Sequence, residues 1–287
     1  MLRKSTLQLL RFHFSFFLMP VYWFALTQLV NINWCRAVII FIILHVLVYP
    51  ASNGYNSYMD RDETPIGGLK SPLQPTKQLF YSTVVMDVAA VTASFFISIY
   101  FALGIAVYIL ASRAYSYRKI RLKQYPLLGY LTVVIFQGAV TYWLVYHGIS
   151  EALYMKASPS GMIAASLLIG GFYPLTQIYQ HKADAADGVE TISYKLGYRG
   201  TFIFCASVYS VAMLFLGYTF LSSLMFAQFL ILLIFFLPIL VYFFWWAAKV
   251  WKNTDAADFK HTMRMNILAS ICTNLGFITT LIMNQLE

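Results

Sequence analysis

The stretch Arg36–Thr64, RAVIIFIILHVLVYPASNGYNSYMDRDET, divides into two unlike parts. Residues 36–55 contain no acid and only one Lys or Arg, at their edge, and are long enough for a helix to cross a hydrocarbon core, which takes roughly 20 residues. Directly behind this run stand Asp60, Asp62 and Glu63. If the helix continues past the membrane, Asn53, Asn56 and Asp60 follow one another at three and four residues and share one face. An apolar span that ends in a cluster of oxygen ligands predicts a membrane-surface site.

Working outward, apolar runs of the same kind fall at 12–31, 78–96, 98–112, 126–147, 161–180, 200–219, 226–248 and 264–284. The composition agrees with them. Of 287 residues 60% are hydrophobic and 11% charged, and the mean hydropathy of +0.67 leaves too little polar surface to cover a water-facing globule. The expectation is all-α: a polytopic membrane helical bundle with about nine transmembrane helices, residues 1–287 forming one domain. The aromatic content of 18% excludes a disordered chain, and Cys35, Cys205 and Cys272 are too scattered for zinc or redox spacing.

Charge tests the span count. Residues 78–112 are too long for one crossing and split near Ser98–Ala102. With that split, only Arg36 and Lys156 of the 20 Lys and Arg residues fall on the second side of the membrane. By the positive-inside rule the first side, with the N-terminus, is cytoplasmic, in a multi-pass protein of the cell's inner or plasma membrane. The first apolar stretch exceeds a signal-peptide core and is read as a retained helix. The net charge of +9 is spread over helix ends with no soluble basic domain, so nucleic acid is not an expected partner.

Six of the 11 acids lie in two clusters: Asp60, Asp62 and Glu63 after the second span, and Asp184, Asp187 and Glu190 after the sixth. Both follow even-numbered spans, so both face the cytoplasm. Gln180, Asp184 and Asp187 repeat the helical spacing of the first cluster. Carboxylates converging at a membrane surface suit Mg²⁺, which is held by a few of them while phosphate oxygens and water complete its shell. Arg61, Lys70, Lys182 and the basic loop at 113–123 lie close enough in sequence to neutralise a diphosphate.

These residues resemble the UbiA superfamily of intramembrane prenyltransferases. Asn56-Ser-Tyr-Met-Asp60-Arg-Asp-Glu-Thr is similar to its first aspartate motif, NDxxDxxxD, and Leu69-Lys-Ser-Pro-Leu73 to the Lys-Pro or Arg-Pro segment behind it. Tyr115-Ser-Tyr-Arg-Lys-Ile-Arg-Leu-Lys123 resembles YSxPPxRLK, and Asp184 to Asp187 followed by Thr191-Ile-Ser-Tyr-Lys-Leu-Gly197 resembles the second motif and its TLxxxLG continuation. The resemblance implies Mg²⁺-dependent transfer of a prenyl group from a prenyl diphosphate to a lipophilic or aromatic acceptor, in contact with membrane lipid. Carried over by position, Asn56, Asp60, Asp184 and Asp187 become metal ligands and catalytic residues, and Tyr115, Ser116, Arg121 and Lys123 diphosphate contacts, beside Lys70 and Lys182. Ser57 and Thr64 depart from the first motif, so Asp62 or Glu63 substitutes as a ligand, and Arg118-Lys119 replaces Pro-Pro.

Two other classes are compatible with many helices. A secondary transporter places its ionisable groups at the membrane midplane, where this chain offers only Asp87. A non-catalytic membrane scaffold retaining the fold is the other, and turnover separates it from an enzyme. Asp87 is either hydrogen-bonded inside the bundle or functional. His13 and His45 read as bundle residues, and His181, beside the second acid cluster, as a solvated helix-end residue or a diphosphate contact.

Overall fold

The run that begins at Trp34 continues as helix through Asp60, 27 residues and about 40 Å at 1.5 Å per residue, so it projects roughly 10 Å beyond a 30 Å hydrocarbon core. This extension carries Asn53, Asn56 and Asp60. The computed structural model describes residues 2–286, which hold nine helical units and no strand. They are α1 (Lys4–Phe17 and Met19–Leu26, bent by 40°), α2 (Trp34–Asp60), α3 (Lys77–Ser94), α4 (Ile99–Ser116), α5 (Pro126–Ile149), α6 (Pro159–Ala186), α7 (Ile192–Ser222), α8 (Phe226–Lys252) and α9 (Phe259–Leu286). Seven are long and apolar enough to cross a membrane, eight with the bent α1, among the described residues. The chain is an integral multi-pass membrane protein.

α3 is the unit that falls short, because Lys77 and Asp87 dilute its apolar content. The expected division of residues 78–112 is present. α3 ends at Ser94, and Ser98 then caps α4 by accepting the Phe101 amide at 3.0 Å. α1 begins earlier than expected and breaks, as Arg11 adopts a left-handed conformation (φ 48°) and Phe12–Phe17 tighten into a 3-10 turn. α7 starts at Ile192 behind a Thr191 cap and bends at Gly197, whose φ of 67° suits a residue without Cβ.

The core is apolar and aromatic. Phe24 of α1 lies 5.0 Å from the rings of both Tyr142 and Phe277, tying α1 to α5 and α9. α8 buries only 22% of its most apolar window inside the protein, and Leu237, Val241 and Phe244 point outward, as lipid-facing residues do. Two π-helical turns interrupt the bundle: Ile43–Val48 in α2 and Ile135–Val140 in α5. Such a turn inserts an extra residue and re-aims everything after it. In α2 it precedes Asn53, Asn56 and Asp60, and in α5 it contains Gln137. At Gly54 the close approach of α3 leaves a Cβ only 2.9 Å from Thr83, so a larger residue would force α2 and α3 apart.

Candidate active site

α2 and α6 end at the same side of the bundle, and their polar faces border one cavity of about 210 Å³. From α2 it receives Asn53, Asn56 and Asp60; from α6, Tyr173, Gln177, Gln180 and Asp184. The loop after α2 adds Asp62, α4 adds Tyr115 and Ser116, and the loop before α5 adds Lys123. The two acid clusters expected to meet across the bundle thus contribute Asp60, Asp62 and Asp184 to a common space.

Asp60 is almost wholly buried, its side chain 4% exposed. One carboxylate oxygen is ion-paired with Lys123, and the other lies 3.7 Å from the Arg121 guanidinium without a hydrogen bond. Arg121, itself buried in a left-handed backbone (φ 44°), also pairs with Asp187, and Arg118 donates to the Met59 carbonyl at 2.7 Å. The 117–124 loop therefore bridges the ends of α2 and α6 with its cations. On α4, Ser116 donates to the Asn56 side-chain oxygen at 2.7 Å. Burial raises the Asp62 carboxyl above the ordinary carboxylate range; the Asp60 charge adds to the rise, and Lys123 and Arg11 oppose it.

Several expected residues lie outside this space. Lys70 and Lys182 are exposed, and Lys182 borders a separate surface hollow with His181, Glu190 and Lys195. Glu63 is exposed and accepts from Gln74 at 3.5 Å. Asp187 is 43% exposed on its side chain and pairs with Arg121, an expected diphosphate contact that does not itself line the cavity but stands 3.7 Å from Asp60. His181 is buried rather than solvated: it is bonded to Ser193 at 2.8 Å and stacked on Tyr198. Asp87 is bonded inside the bundle, paired with Arg113, whose guanidinium sits 4.0 Å over the Tyr55 ring.

Other cavity residues escape a reading by motif. Arg11 counts in sequence as a topology charge, yet it is buried, lines the cavity, and donates to the carbonyls of Asn53 and Gly67 at 3.2 Å each. Its left-handed backbone at the α1 break turns it inward, and no local pattern announces that. Tyr173 and Gln177 had an available signal: with Gln180 and Asp184 they continue the three-and-four spacing backward along α6. The Tyr173 hydroxyl bonds to Tyr115 and accepts from Gln177 at 2.9 Å.

The fit to a metal can be read from the donors. Among the described residues no three His, Cys, Asp or Glu side chains converge closely enough to form a protein cage. Asp60 and Asp184, however, each leave one buried carboxylate oxygen without a hydrogen-bond partner. One or two carboxylates with phosphate and water for the rest is the usual arrangement for Mg²⁺, so this donor set fits that ion better than an all-protein site.

A model of the UbiA prenyltransferase family matches residues 16–268, most of the chain. The protein belongs to the UbiA prenyltransferase family. Solved members share the whole architecture. A UbiA homologue from Archaeoglobus fulgidus bound to DMAPP and Mg²⁺ superposes with a TM-score of 0.69 at 16% identity, covering 96% of this chain and 98% of the homologue. The apo UbiA homologue from Aeropyrum pernix K1 gives 0.70 at 17% identity, covering 93% and 97%. A digeranylgeranylglyceryl phosphate synthase gives 0.62 at 15%, covering 99% of both chains. No curated protein sequence matches this one. As a UbiA protein it shares the fold of these relatives, while its 117–124 loop carries Arg118 and Lys119 where the family pattern has two prolines.

Proposed function

We propose that this UbiA protein transfers a prenyl group from a prenyl diphosphate to a lipophilic aromatic acceptor of the quinone-precursor type, in a Mg²⁺-dependent reaction at the cytoplasmic side of the membrane. The whole chain acts as one catalytic unit with its N-terminus in the cytoplasm, an orientation supported by the concentration of Lys and Arg at the site's end of the bundle. One observation carries the reading: Asp60 and Asp184, from helix ends far apart in sequence, line one cavity with unpartnered carboxylate oxygens, and Arg11 and Lys123 stand beside them.

Asn56, Asp60 and Asp184 would hold the metal, with Asp62 lining the same cavity and Asp187 and Glu63 outside its lining. Mg²⁺ bound there supplies Lewis-acid charge neutralisation to the leaving diphosphate. Lys123, Arg121 and Arg11 contribute fixed positive charge toward the same oxygens, with the Tyr115 hydroxyl as a donor and Ser116 positioning Asn56. The allylic C–O bond breaks with its electron pair going to diphosphate; the acceptor's nucleophilic atom then bonds to the allylic carbon and loses a proton to the departing diphosphate. Tyr108, Phe136 and Tyr173 wall the cavity below the carboxylates, where their faces stabilise a developing cation and their bulk excludes water.

Purified protein in nanodiscs, given geranylgeranyl diphosphate with an acceptor panel, is expected to release diphosphate only with Mg²⁺ and to form a prenylated product. Asp60→Ala and Asp184→Ala should abolish both. Folded protein that neither binds nor cleaves prenyl diphosphate would overturn the reading and favour a scaffold that keeps the fold.

A further inference from the structure

We infer that the acceptor is electrically neutral: a lipophilic phenol or hydroquinone bound by hydrogen bonds at the deep end of the cavity, and neither a carboxylate nor a phosphate ester. This inference rests on the prenyl-transfer reading and specifies its second substrate.

The cavity has two chemically different ends. The upper end holds all of its charge: Asp60, Asp62 and Asp184 with Arg11 and Lys123. Those two are the only cations lining it among the described residues, and both are engaged there, Lys123 with Asp60 and Arg11 with the Asn53 and Gly67 carbonyls. A leaving diphosphate would take up their remaining capacity.

The lower end is polar but uncharged. Tyr108 lies eight residues before Ser116 on α4, about 12 Å deeper along the helix. Gln137 sits in the π-helical turn of α5, a distortion that recurs at functional positions, and lines the cavity together with Tyr108. Ser112, one turn nearer Ser116 on α4, and Thr176 add hydroxyls along the cavity wall, Phe136 lies 6.0 Å from the Tyr108 ring, and Tyr173 adds an aromatic wall reaching up to Tyr115. A planar hydroxylated ring finds aromatic faces and both donors and acceptors there. A carboxylate in the same place would be stripped of water with no opposing charge, which strongly disfavours binding. The uncharged amide of Gln137 can both donate to and accept from a neutral hydroxyl.

The test uses the full-length protein in nanodiscs with Mg²⁺, geranylgeranyl diphosphate and two acceptors that differ by one group, 1,4-dihydroxynaphthalene and its 2-carboxylate. The neutral ring is expected to have a kcat/KM at least about tenfold higher, the low end of the penalty for leaving a buried polar group unpaired. Gln137→Leu should raise the KM for the neutral acceptor about tenfold while the affinity for a non-cleavable prenyl thiodiphosphate, measured by calorimetry, stays within twofold. Gln137→Arg should reverse the preference toward the carboxylate. Tyr108→Phe provides the same comparison if the Gln137 variants do not fold. A wild-type preference for the carboxylated or a phosphorylated acceptor, or an acceptor KM indifferent to both positions, would overturn the inference while thiodiphosphate binding keeps the prenyl-transfer reading intact. Absence of Mg²⁺-dependent thiodiphosphate binding would remove both.

Discussion

The ends of α2 and α6 have the same polar spacing and very different support. Asn53, Asn56 and Asp60 sit on a continuous helical turn, with Asp60 held by Lys123 and Arg121 and Asn56 by Ser116. α6 instead passes through a 3-10 stretch, Tyr173–Gln180, and finishes in a six-residue α-helical turn, after which Gly188 takes a φ of 67°. Asp184 leaves a buried oxygen unpartnered, and Asp187 stands half in solvent, gripped by arginines from the neighbouring loop. One acid end closes an unbroken α-helix and the other follows a 3-10 stretch, while cations of the same 117–124 loop pair with both. Similar sequence patterns therefore yield two differently supported halves of a site: the α2 end is held by Lys123, Arg121 and Ser116, and the Asp187 side of the α6 end by Arg118 and Arg121.

The comparison breaks most directly at Asp60. Asp60→Ala removes a carboxylate and strands Lys123; a loss of about 10³-fold in diphosphate release is expected, in line with the removal of a preorganised electrostatic group. Equal activity in steady-state assays of variant and wild type would show that the α2 end is dispensable. Arg121→Ala should come next, with about 10²-fold lower kcat/KM, because it releases Asp187 and the α6 end together. Arg121→Lys should restore only part of this, since an ammonium lacks the guanidinium fork.

Ser116→Ala probes a single bond at the α2 end. It should cost about 1 kcal/mol, a fewfold change in apparent Mg²⁺ affinity by calorimetric titration, because the Asn56 oxygen loses one neutral hydrogen bond. The effect of pH should be milder still. The Asp62 carboxyl lies above its ordinary range, so as pH falls it takes up a proton before an unperturbed carboxylate does, and the proton competes with the metal. Apparent Mg²⁺ affinity should thus decline as pH is lowered through that range, with a shallower decline in Asp62→Asn. Lys70→Ala and Lys182→Ala, both outside the cavity, should stay within about twofold of wild type, as surface changes do.

The helices were legible because an apolar run long enough to cross a bilayer is a local property. The break at Ser94–Ser98 was also legible, since charge sidedness demanded it and Ser98 is a good cap. The polar face of α2 followed from spacing alone, and the same rule applied backward from Asp184 reaches Tyr173. The break of α1 was not readable: Arg11 takes a left-handed conformation that its own side chain does not favour, and tertiary contacts to Asn53 and Gly67 hold it there. The π-helical turn that carries Gln137 is equally silent, since IFQGAV reads as ordinary apolar helix.

The order of residues alone implies a helical bundle in a membrane, one end of which bears most of the positive charge and two acid-tipped helices. Length, hydropathy and charge suffice for this, because the bilayer acts on each segment separately. Only the tertiary structure decided which cations meet those acids: Arg121 and Lys123 reach Asp60, while Lys70 and Lys182 face solvent and Arg11 turns inward. Ion pairing depends on where a side chain's atoms lie in space, and a basic residue adjacent in sequence is placed by its own helix end, loop and packing partners.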